Sequence, residues 1–250
     1  MISIKNIHEL ETMRKAGIIA AEALKLTGDS LKPGITTLEV DKIAHQFITQ
    51  KGGKAAFLGY NGFPASICIS INEEVIHGIP SNRKILSGDI VSIDLGVELK
   101  GFFADTAATF PIGDISPKAL ALIQTTKQCL NAAIAKMLEG NRIGDISHAV
   151  QNCAETQGFS VVKDFVGHGI GKKLHEPPEI PNYGKAGYGG RISNGMTFAI
   201  EPMINEDSHA VEILDDGWTV ITKDKSLSAH FEHTVAATPN GPLVLTALEE

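Results

Sequence analysis

The sequence predicts an α+β fold in which an antiparallel sheet is covered by two pairs of helices. The main observation is an internal repeat, because the pattern of Gly88–Asp94 returns at Gly195–Glu201 with an offset of 107 residues. A His-Gly-Ile triplet precedes each copy, at His77–Ile79 and at His168–Ile170. A period of about one hundred residues is too long for a solenoid. We therefore expect one domain over residues 1–250, built from two pseudo-twofold halves of about 1–110 and 111–250.

Length and composition limit the class of protein. A chain of 250 residues with a net charge of −7 can bury a sizeable core, and the charge argues against nucleic acid as a substrate. Its cysteines, Cys68, Cys129 and Cys153, show neither close pairing nor zinc spacing, which suits a reducing compartment. No signal-peptide pattern opens the sequence, and no apolar run approaches the ~18–20 residues that span a bilayer. We expect a cytoplasmic protein that makes no membrane contact.

The first half is predicted to begin with two helices. Apolar residues at three- and four-residue steps indicate a helix over residues 8–27. A second helix begins at Thr36, which forms a capping-box pattern with Glu39. Ala55–Gly62 is predicted to be a loop and Ser66–Ile71 a strand.

The second half repeats the order of helices followed by strands. Ser116 followed by proline indicates the start of a third helix that continues through Met137, and residues 145–157 form a fourth. Asp216-Gly217 is a strong hairpin-turn signal. The remaining apolar and β-branched segments predict six strands, namely Val161–Gly167, Met196–Ile204, Val211–Leu214, Trp218–Thr222, Phe231–Ala237 and Leu243–Leu245.

The stretch Gly88–Phe110 carries two aspartates in apolar surroundings. It predicts two antiparallel strands with a turn near Lys100-Gly101, so that Asp94 and Asp105 lie across the strands from one another. Burying a lone carboxylate is costly, and two neighbouring carboxylates repel each other. A divalent cation between them would remove both costs.

The repeat adds a second pair of acids, Glu201 and Glu232. A pseudo-twofold fold would bring four carboxylates and at least one histidine into one cleft. Oxygen-rich ligation with a single imidazole suits Mn²⁺, Fe²⁺, Co²⁺ or Zn²⁺. Four carboxylates suit a pair of ions about 3.5–4 Å apart, which activates a water molecule and polarises a carbonyl group. Amide hydrolysis is the reaction class that this chemistry indicates.

The order of these residues resembles the five-ligand set of the methionine aminopeptidases, which have a duplicated pita-bread fold. The resemblance extends from about residue 3 to residue 245 and is to the type I, bacterial-style enzymes. The motifs that carry it are Asn72–Pro80, Gly167–Gly171, His175–Pro178, Gly195–Pro202, Asp216–Thr219 and Ser226–Ala229.

The resemblance implies a role for each ligand. Asp94 would chelate one metal ion and His168 and Glu201 the other, while Asp105 and Glu232 would bridge the two ions. Glu201 would also accept the proton. The ions would be two divalent metals (Co, Mn, Fe, Zn or Ni), with their identity left open.

The resemblance also implies how substrate is held. His77 would contact the scissile amide, and His175 would contact the carbonyl oxygen as it becomes anionic. The substrate would be the N-terminus of a nascent polypeptide that begins with methionine and has a small second residue. A monomer is expected, and docking on the ribosome is left open. The pocket for the methionine side chain would be formed by Tyr60, Cys68, His77 and Trp218.

Four positions in that pocket depart from the best-known members. Phe57 stands where a cysteine is usual, Asn61 where a histidine is frequent, and Phe63 where a tyrosine is common. Leu174 replaces a phenylalanine just before His175. We expect the chemistry to survive, and the departures leave side-chain preference, rate and inhibitor profile open.

Single residues of this set also have purely structural explanations, and two other functions are alternatives. A lone hairpin aspartate is usually a surface residue, and Cys68 and Trp218 suit a core as well as a pocket wall. The remaining histidines, including His230, are predicted to be surface or packing residues. The first rival function is a proline-directed peptidase, which usually carries an extra amino-terminal domain. The second is a metal-free binding module, and such modules typically lose metal ligands that this sequence retains.

Overall fold

The computed structural model describes residues 2–248 and contains four long helices among them. These are α1 (Ile7–Ser30), α2 (Thr37–Gln50), α3 (Pro117–Ile134) and α4 (Ile143–Thr156). The predicted caps are confirmed, since Ser116 accepts a hydrogen bond from the backbone of Ala119, and Thr36 and Glu39 form a capping box. Within this part of the chain, no helix has the length and apolar character needed to cross a membrane.

Among residues 2–248, nine strands form the main sheet, and every pairing described in it is antiparallel. The strand order is β1-β4-β5-β14-β9-β7-β8, with β2 paired to β4 and β15 paired to β14. Together with four helices, this sheet confirms the predicted α+β class. The first five strands of the chain, of which β3 belongs to a smaller sheet, are β1 (Lys54–Ala55), β2 (Cys68–Ile71), β3 (Glu74–Ile76), β4 (Ile90–Leu99) and β5 (Phe102–Pro111).

The second half supplies the remaining strands, which complete the main sheet and build two smaller ones. The smaller sheets have the orders β13-β10-β6 and β11-β12-β3. The bounds are β6 (Ser160–Val161), β7 (Val166–Gly169), β8 (Glu176–Pro181), β9 (Thr197–Ile200), β10 (Met203–Asn205), β11 (Val211–Ile213), β12 (Val220–Thr222), β13 (Ser228–His230), β14 (Glu232–Thr238) and β15 (Gly241–Val244).

Each helix pair buries its apolar stripe against the half of the sheet nearest to it in sequence. The first core cluster joins Ala20 of α1 and Val40 of α2 to Ile93 of β4. The second cluster joins α3 and α4 to β9 and β14, with Phe198 fully buried at its centre. Burial of apolar area is the main stabilising term in both cores. The acid-bearing strands are thereby held by two separate cores.

Local features recur at offsets close to the predicted 107 residues. The loops before α2 and α4 each contain a glycine with positive φ, Gly34 at 94° and Gly140 at 90°. The N-cap residues of the same helices each form an isolated antiparallel bridge, Thr36 with Lys84 and Arg142 with Arg191. These parallels support an internal duplication, and the division into two related halves stays a prediction.

Several predicted strand boundaries are wrong. The predicted strand Val161–Gly167 is two short strands, β6 and β7, and Met196–Ile204 is broken between β9 and β10 at Glu201-Pro202. Proline lacks the N–H that a continuous ladder needs, which explains the second break. The predicted loop Ala55–Gly62 contains part of β1 and a 3₁₀ turn at Tyr60–Gly62. The sequence also gave no prediction for strands β3, β8 and β13.

Candidate metal centre and active site

Strands β4 and β5 place the first two acids on one face of the sheet. Asp94 pairs with Ala107, and Asp105 pairs with Gly96, so the two acids are diagonal neighbours. The expectation that they lie directly across from each other is therefore wrong by one diagonal step. Diagonal pairs on one face remain within reach of each other, and the charge of Asp105 adds to burial in raising the pKa of Asp94.

Strands β7, β9 and β14 bring the remaining predicted ligands to the same place. Glu232 opens β14 and pairs with Ala107, the residue that also faces Asp94. His168 of β7 pairs with Ala199 of β9, and Glu201 follows the last residue of β9. The Nε2 atom of His168 lies 3.5 Å from Oε1 of Glu201. Five residues from both halves of the chain therefore meet in one cavity.

Threonine hydroxyl groups hold β5 against β14, where few backbone pairs join the strands. The backbone N–H of Asp105 donates to the hydroxyl of Thr234, which in turn donates to the carbonyl oxygen of Asp105. The hydroxyl of Thr106 donates to the carbonyl oxygen of Glu232, and that of Thr109 to the carbonyl oxygen of His230. These bonds fix the backbone beneath both acids, so their carboxylates are preorganised.

The donor set fits a divalent cation. Donor atoms of Asp105, His168 and Glu232 all lie within 4.8 Å of one another, and the three residues are buried. Oδ1 of Asp94 and Oε1 of Glu232 are buried without a hydrogen-bond partner among residues 2–248. Buried polar atoms of native proteins are normally satisfied. Unpaired carboxylate oxygens facing a neutral imidazole are therefore what a metal-free ligand set would present.

The pKa values show the cost of burying these carboxylates together without a cation. Burial, followed by the charge of neighbouring carboxylates, raises the pKa of Asp94, Glu201 and Glu232 well above the ordinary range. Burial also raises the pKa of Asp105, to about 7. In contrast, burial lowers the pKa of His168 to about 3, so its imidazole is neutral with a free lone pair. A bound cation would reverse the penalty on the acids by favouring their ionised forms.

Two further histidines border this cluster. The ring of His175 lies 4.0 Å from that of His168, measured between centroids, and its Nδ1 is 2.8 Å from the hydroxyl oxygen of Tyr60. His77 has a positive φ of 60° and sits edge-on to the rings of Phe165 and Trp218. Burial lowers the pKa of His77 to about 4, which keeps it neutral.

The sequence-predicted pocket residues line one cavity of about 190 Å³. Its wall is apolar and aromatic on one side, where Phe63 packs edge-on against Trp218. Asp216 holds the Trp218 segment by accepting hydrogen bonds from the backbone N–H groups of Trp218 and Thr219. The cavity is lined by Phe57, Tyr60, Asn61, Phe63, Cys68, His77, Asp94, Asp105, His168, Leu174, His175, Glu201, Trp218 and Glu232.

His230 is a site residue that sequence reasoning missed. It was expected to be a surface or packing residue, yet it is 1% exposed and its Nε2 lies 3.8 Å from Oε2 of Glu201. Neither ring nitrogen has a hydrogen-bond partner in the described part of the chain. Burial, followed by the charge of His77, lowers its pKa to about 3. The available signal was the spacing His230-Phe-Glu232, since residues two apart share a face in extended chain.

Curated relatives are similar to this chain over their whole length. A methionine aminopeptidase of Clostridium perfringens is 53% identical over 249 residues, which is 100% of both chains. Methionine aminopeptidase 1 of Bacillus subtilis is 47% identical over 246 residues, or 98% of each chain.

Solved structures of methionine aminopeptidases and of a prolidase share the fold of this chain to different degrees. Methionine aminopeptidases of Rickettsia prowazekii and Thermotoga maritima match with TM-scores of 0.97 and 0.98 at 44% and 42% identity, covering 99% of this chain and 100% of theirs. These matches confirm the pita-bread fold. The prolidase of Pyrococcus horikoshii shares the fold alone, at a TM-score of 0.80, 22% identity and coverage of 99% of this chain and 64% of the prolidase. The sequence pattern of metallopeptidase family M24 matches residues 11–239, and the chain therefore belongs to that family.

Proposed function

We propose that this protein removes the N-terminal methionine from nascent peptides whose second residue is small. The proposal rests on one observation, which is that the five predicted metal ligands and two further histidines, His77 and His175, line the same cavity. The ligands are Asp94, Asp105, His168, Glu201 and Glu232. Relatives named methionine aminopeptidase are 53% and 47% identical to this chain over 249 and 246 residues. The proposal treats residues 1–250 as one catalytic domain built from two related halves.

Four acids, Asp94, Asp105, Glu201 and Glu232, together with His168 would hold two divalent ions. When bound, the ions would supply Lewis acidity and a water molecule of lowered pKa. The identity of the ions is left open by a donor set of carboxylates and one imidazole, which suits several divalent metals. The unpaired oxygens of Asp94 and Glu232 support this assignment.

The protein's own groups would move the proton and hold the peptide. Glu201 would accept the proton of the attacking water, because its carboxylate is largely buried at the edge of the cluster. His175 would donate to the carbonyl oxygen as it becomes anionic, since Tyr60 occupies its Nδ1 and leaves Nε2 for substrate. His77, which lies edge-on to the ring of Trp218, would contact the scissile amide.

The cavity also supports the choice of methionine. Phe57, Phe63 and Leu174 are buried in its wall, so the slot for the first side chain is apolar. An unbranched, polarizable thioether adapts well to a slot of this kind. Cys68 and Trp218 complete the wall, and both residues are proposed substrate contacts.

The setting of the reaction follows from its substrate. We place the enzyme in the cytoplasm, where nascent chains emerge and where its free cysteines, Cys68, Cys129 and Cys153, would stay reduced. The proposed partner is the nascent polypeptide, with the enzyme acting as a monomer, and ribosome docking is left open.

The test compares two tripeptide-sized substrates on protein reconstituted with each candidate metal. We expect Met-Ala-Ser to be cleaved at its first bond and an Ala-Pro substrate to be untouched. Elemental analysis of gently purified protein in parallel identifies the metal and its number per chain. Cleavage of Ala-Pro in place of Met-Ala-Ser would refute the proposal in favour of a proline-directed peptidase.

A further inference from the structure

The segment before α1 sends a buried lysine to the loop that carries His175. Lys5 is only 5% exposed, and its Nζ lies 2.8 Å from Oε2 of Glu176, the residue after His175. A lysine is rarely buried unless its charge is paired with an acid. The pair also joins positions 171 residues apart in sequence. It is therefore a long-range tie to the active-site loop.

Glu176 determines the shape of that loop. Its Oε1 accepts hydrogen bonds from the backbone N–H groups of Lys172, at 2.8 Å, and Lys173, at 3.2 Å. Burial opposes ionisation of this carboxyl, yet the hydrogen bond and charge of Lys5 lower its pKa below the ordinary value. A Cβ atom at Gly171 would collide with Cε of Lys5, so the lysine passes directly over the loop backbone. Three consecutive contacts thus shape the backbone that presents His175.

The backbone of Lys5 makes a second tie. Its N–H donates to the carbonyl oxygen of Gly195 at 2.8 Å. Gly195 has a φ of +85°, and its missing side chain leaves room for the backbone of Lys5. Strand β9 begins two residues later and leads to Glu201. One residue outside the cavity is therefore bonded to both segments that deliver proposed catalytic groups.

We propose that Lys5 is a positioning residue that holds His175 in place through Glu176. The inference rests on the proposed function, because it assigns a consequence to the role of His175 there. Lys5 lies outside the residues that line the cavity. Its effect is geometric, and small displacements of a catalytic group are costly, since a 1 Å misplacement is worth roughly 10²-fold in rate.

The test is Lys5→Met, which keeps the length of the side chain and removes its charge. We expect kcat for Met-Ala-Ser to fall by roughly 10–100-fold, with KM and metal content unchanged. The matched control is Lys54→Met, which removes an exposed ion pair with Glu98 and should leave kcat unchanged. In NMR spectra of the metal-free protein, the side-chain signals of His175 should be shifted in Lys5→Met and unchanged in Lys54→Met.

A double-mutant cycle separates positioning from general destabilisation. In a His175→Ala background, Lys5→Met should lower kcat no further, because the group that it positions is gone. An equal loss in both backgrounds, or full activity of Lys5→Met, would overturn the inference. If Lys5→Met does not fold, Glu176→Gln takes its place, since it keeps an oxygen for the two backbone amides. Wild-type protein that releases no methionine would refute the proposed function instead.

Discussion

At the scale of single residues, two neighbouring imidazoles are assigned different work. His168 is buried beside Glu201, whereas His175 is more exposed and bonded to Tyr60. We expect His168→Ala to lose metal and activity together. We expect His175→Ala to keep its metal and roughly its KM while kcat falls by about 10²–10³-fold, as for loss of an oxyanion donor. Elemental analysis and steady-state kinetics on both variants decide, and a metal-depleted or fully active His175→Ala contradicts the assignment.

Asp105 is the acid on which the cluster depends most. It lies within reach of Asp94, His168 and Glu232, and its backbone is fixed by Thr234. Asp105→Asn keeps the size of the side chain but removes the charge that would neutralise two ions at once. We therefore expect loss of at least one tightly bound ion, measured by calorimetric titration of metal into the metal-free protein. Near-normal metal content and turnover would refute the five-ligand assignment.

Phe57 and Leu174 line the proposed slot for the first side chain of the substrate. Both pack over Gly96, the residue that pairs with Asp105. A misfit of one methylene is worth only ~1–3 kcal/mol. We therefore expect methionine to be preferred over leucine and norleucine by modest factors in kcat/KM, measured on matched tripeptides. A clear preference for N-terminal lysine or glutamate would rule out this pocket.

At the scale of elements, the packing of α1 against the last strand region depends on a glycine. A Cβ at Gly17 would collide with the backbone of Leu245, which cannot move aside. At Gly28 the collision is with the far end of the Phe110 ring, which can rotate. We expect Gly17→Ala to lower the free energy of unfolding by roughly 1–3 kcal/mol, and Gly28→Ala to lower it less. Urea unfolding of both variants tests this order, and the reverse order would contradict it.

The elements also show what sequence could and could not supply. Long periodic helices and the acid-bearing hairpin were predictable, because side-chain spacing and caps are local signals. Strand β8, Glu176–Pro181, contains three prolines and charged residues, so its pairing with β7 depends on tertiary contact. His230 and Lys5 were missed for the same reason. Each gains its importance from a partner far away in sequence, Glu201 or Glu176.

At the scale of the whole molecule, the buried acids couple stability to pH when metal is absent. The folded, metal-free protein binds more protons than the unfolded chain wherever the pKa of an acid is raised, as for Asp94, Glu201 and Glu232. Stability is therefore lost as pH rises toward those values, by about 1.4 kcal/mol per pH unit for each extra proton. The buried histidines act in the opposite sense, but only below their ordinary pKa of about 6.5.

Above pH 6.5 the acids act alone, so we expect the Tm of metal-free protein to fall as the pH rises from about 6.5 through the Asp105 pKa of about 7. Metal-loaded protein should show no such fall, because its acids are already ionised in the folded state. Differential scanning calorimetry of chelated and reconstituted samples measures both curves. A flat or rising Tm for the chelated sample would contradict the raised pKa values.

The two predicted halves differ in the number of residues between their two acids. Asp94 and Asp105 are 11 positions apart, whereas Glu201 and Glu232 are 31 apart, so the second half carries 20 additional residues between its acids. The segment between Glu201 and Glu232 contains β10–β13, and β12 crosses to pair with β3 just before His77. The wall bearing Trp218 therefore has no counterpart between Asp94 and Asp105. A polypeptide has a direction along its length, and a wall on one side of the proposed metal cluster would let the site distinguish one end of a peptide from the other.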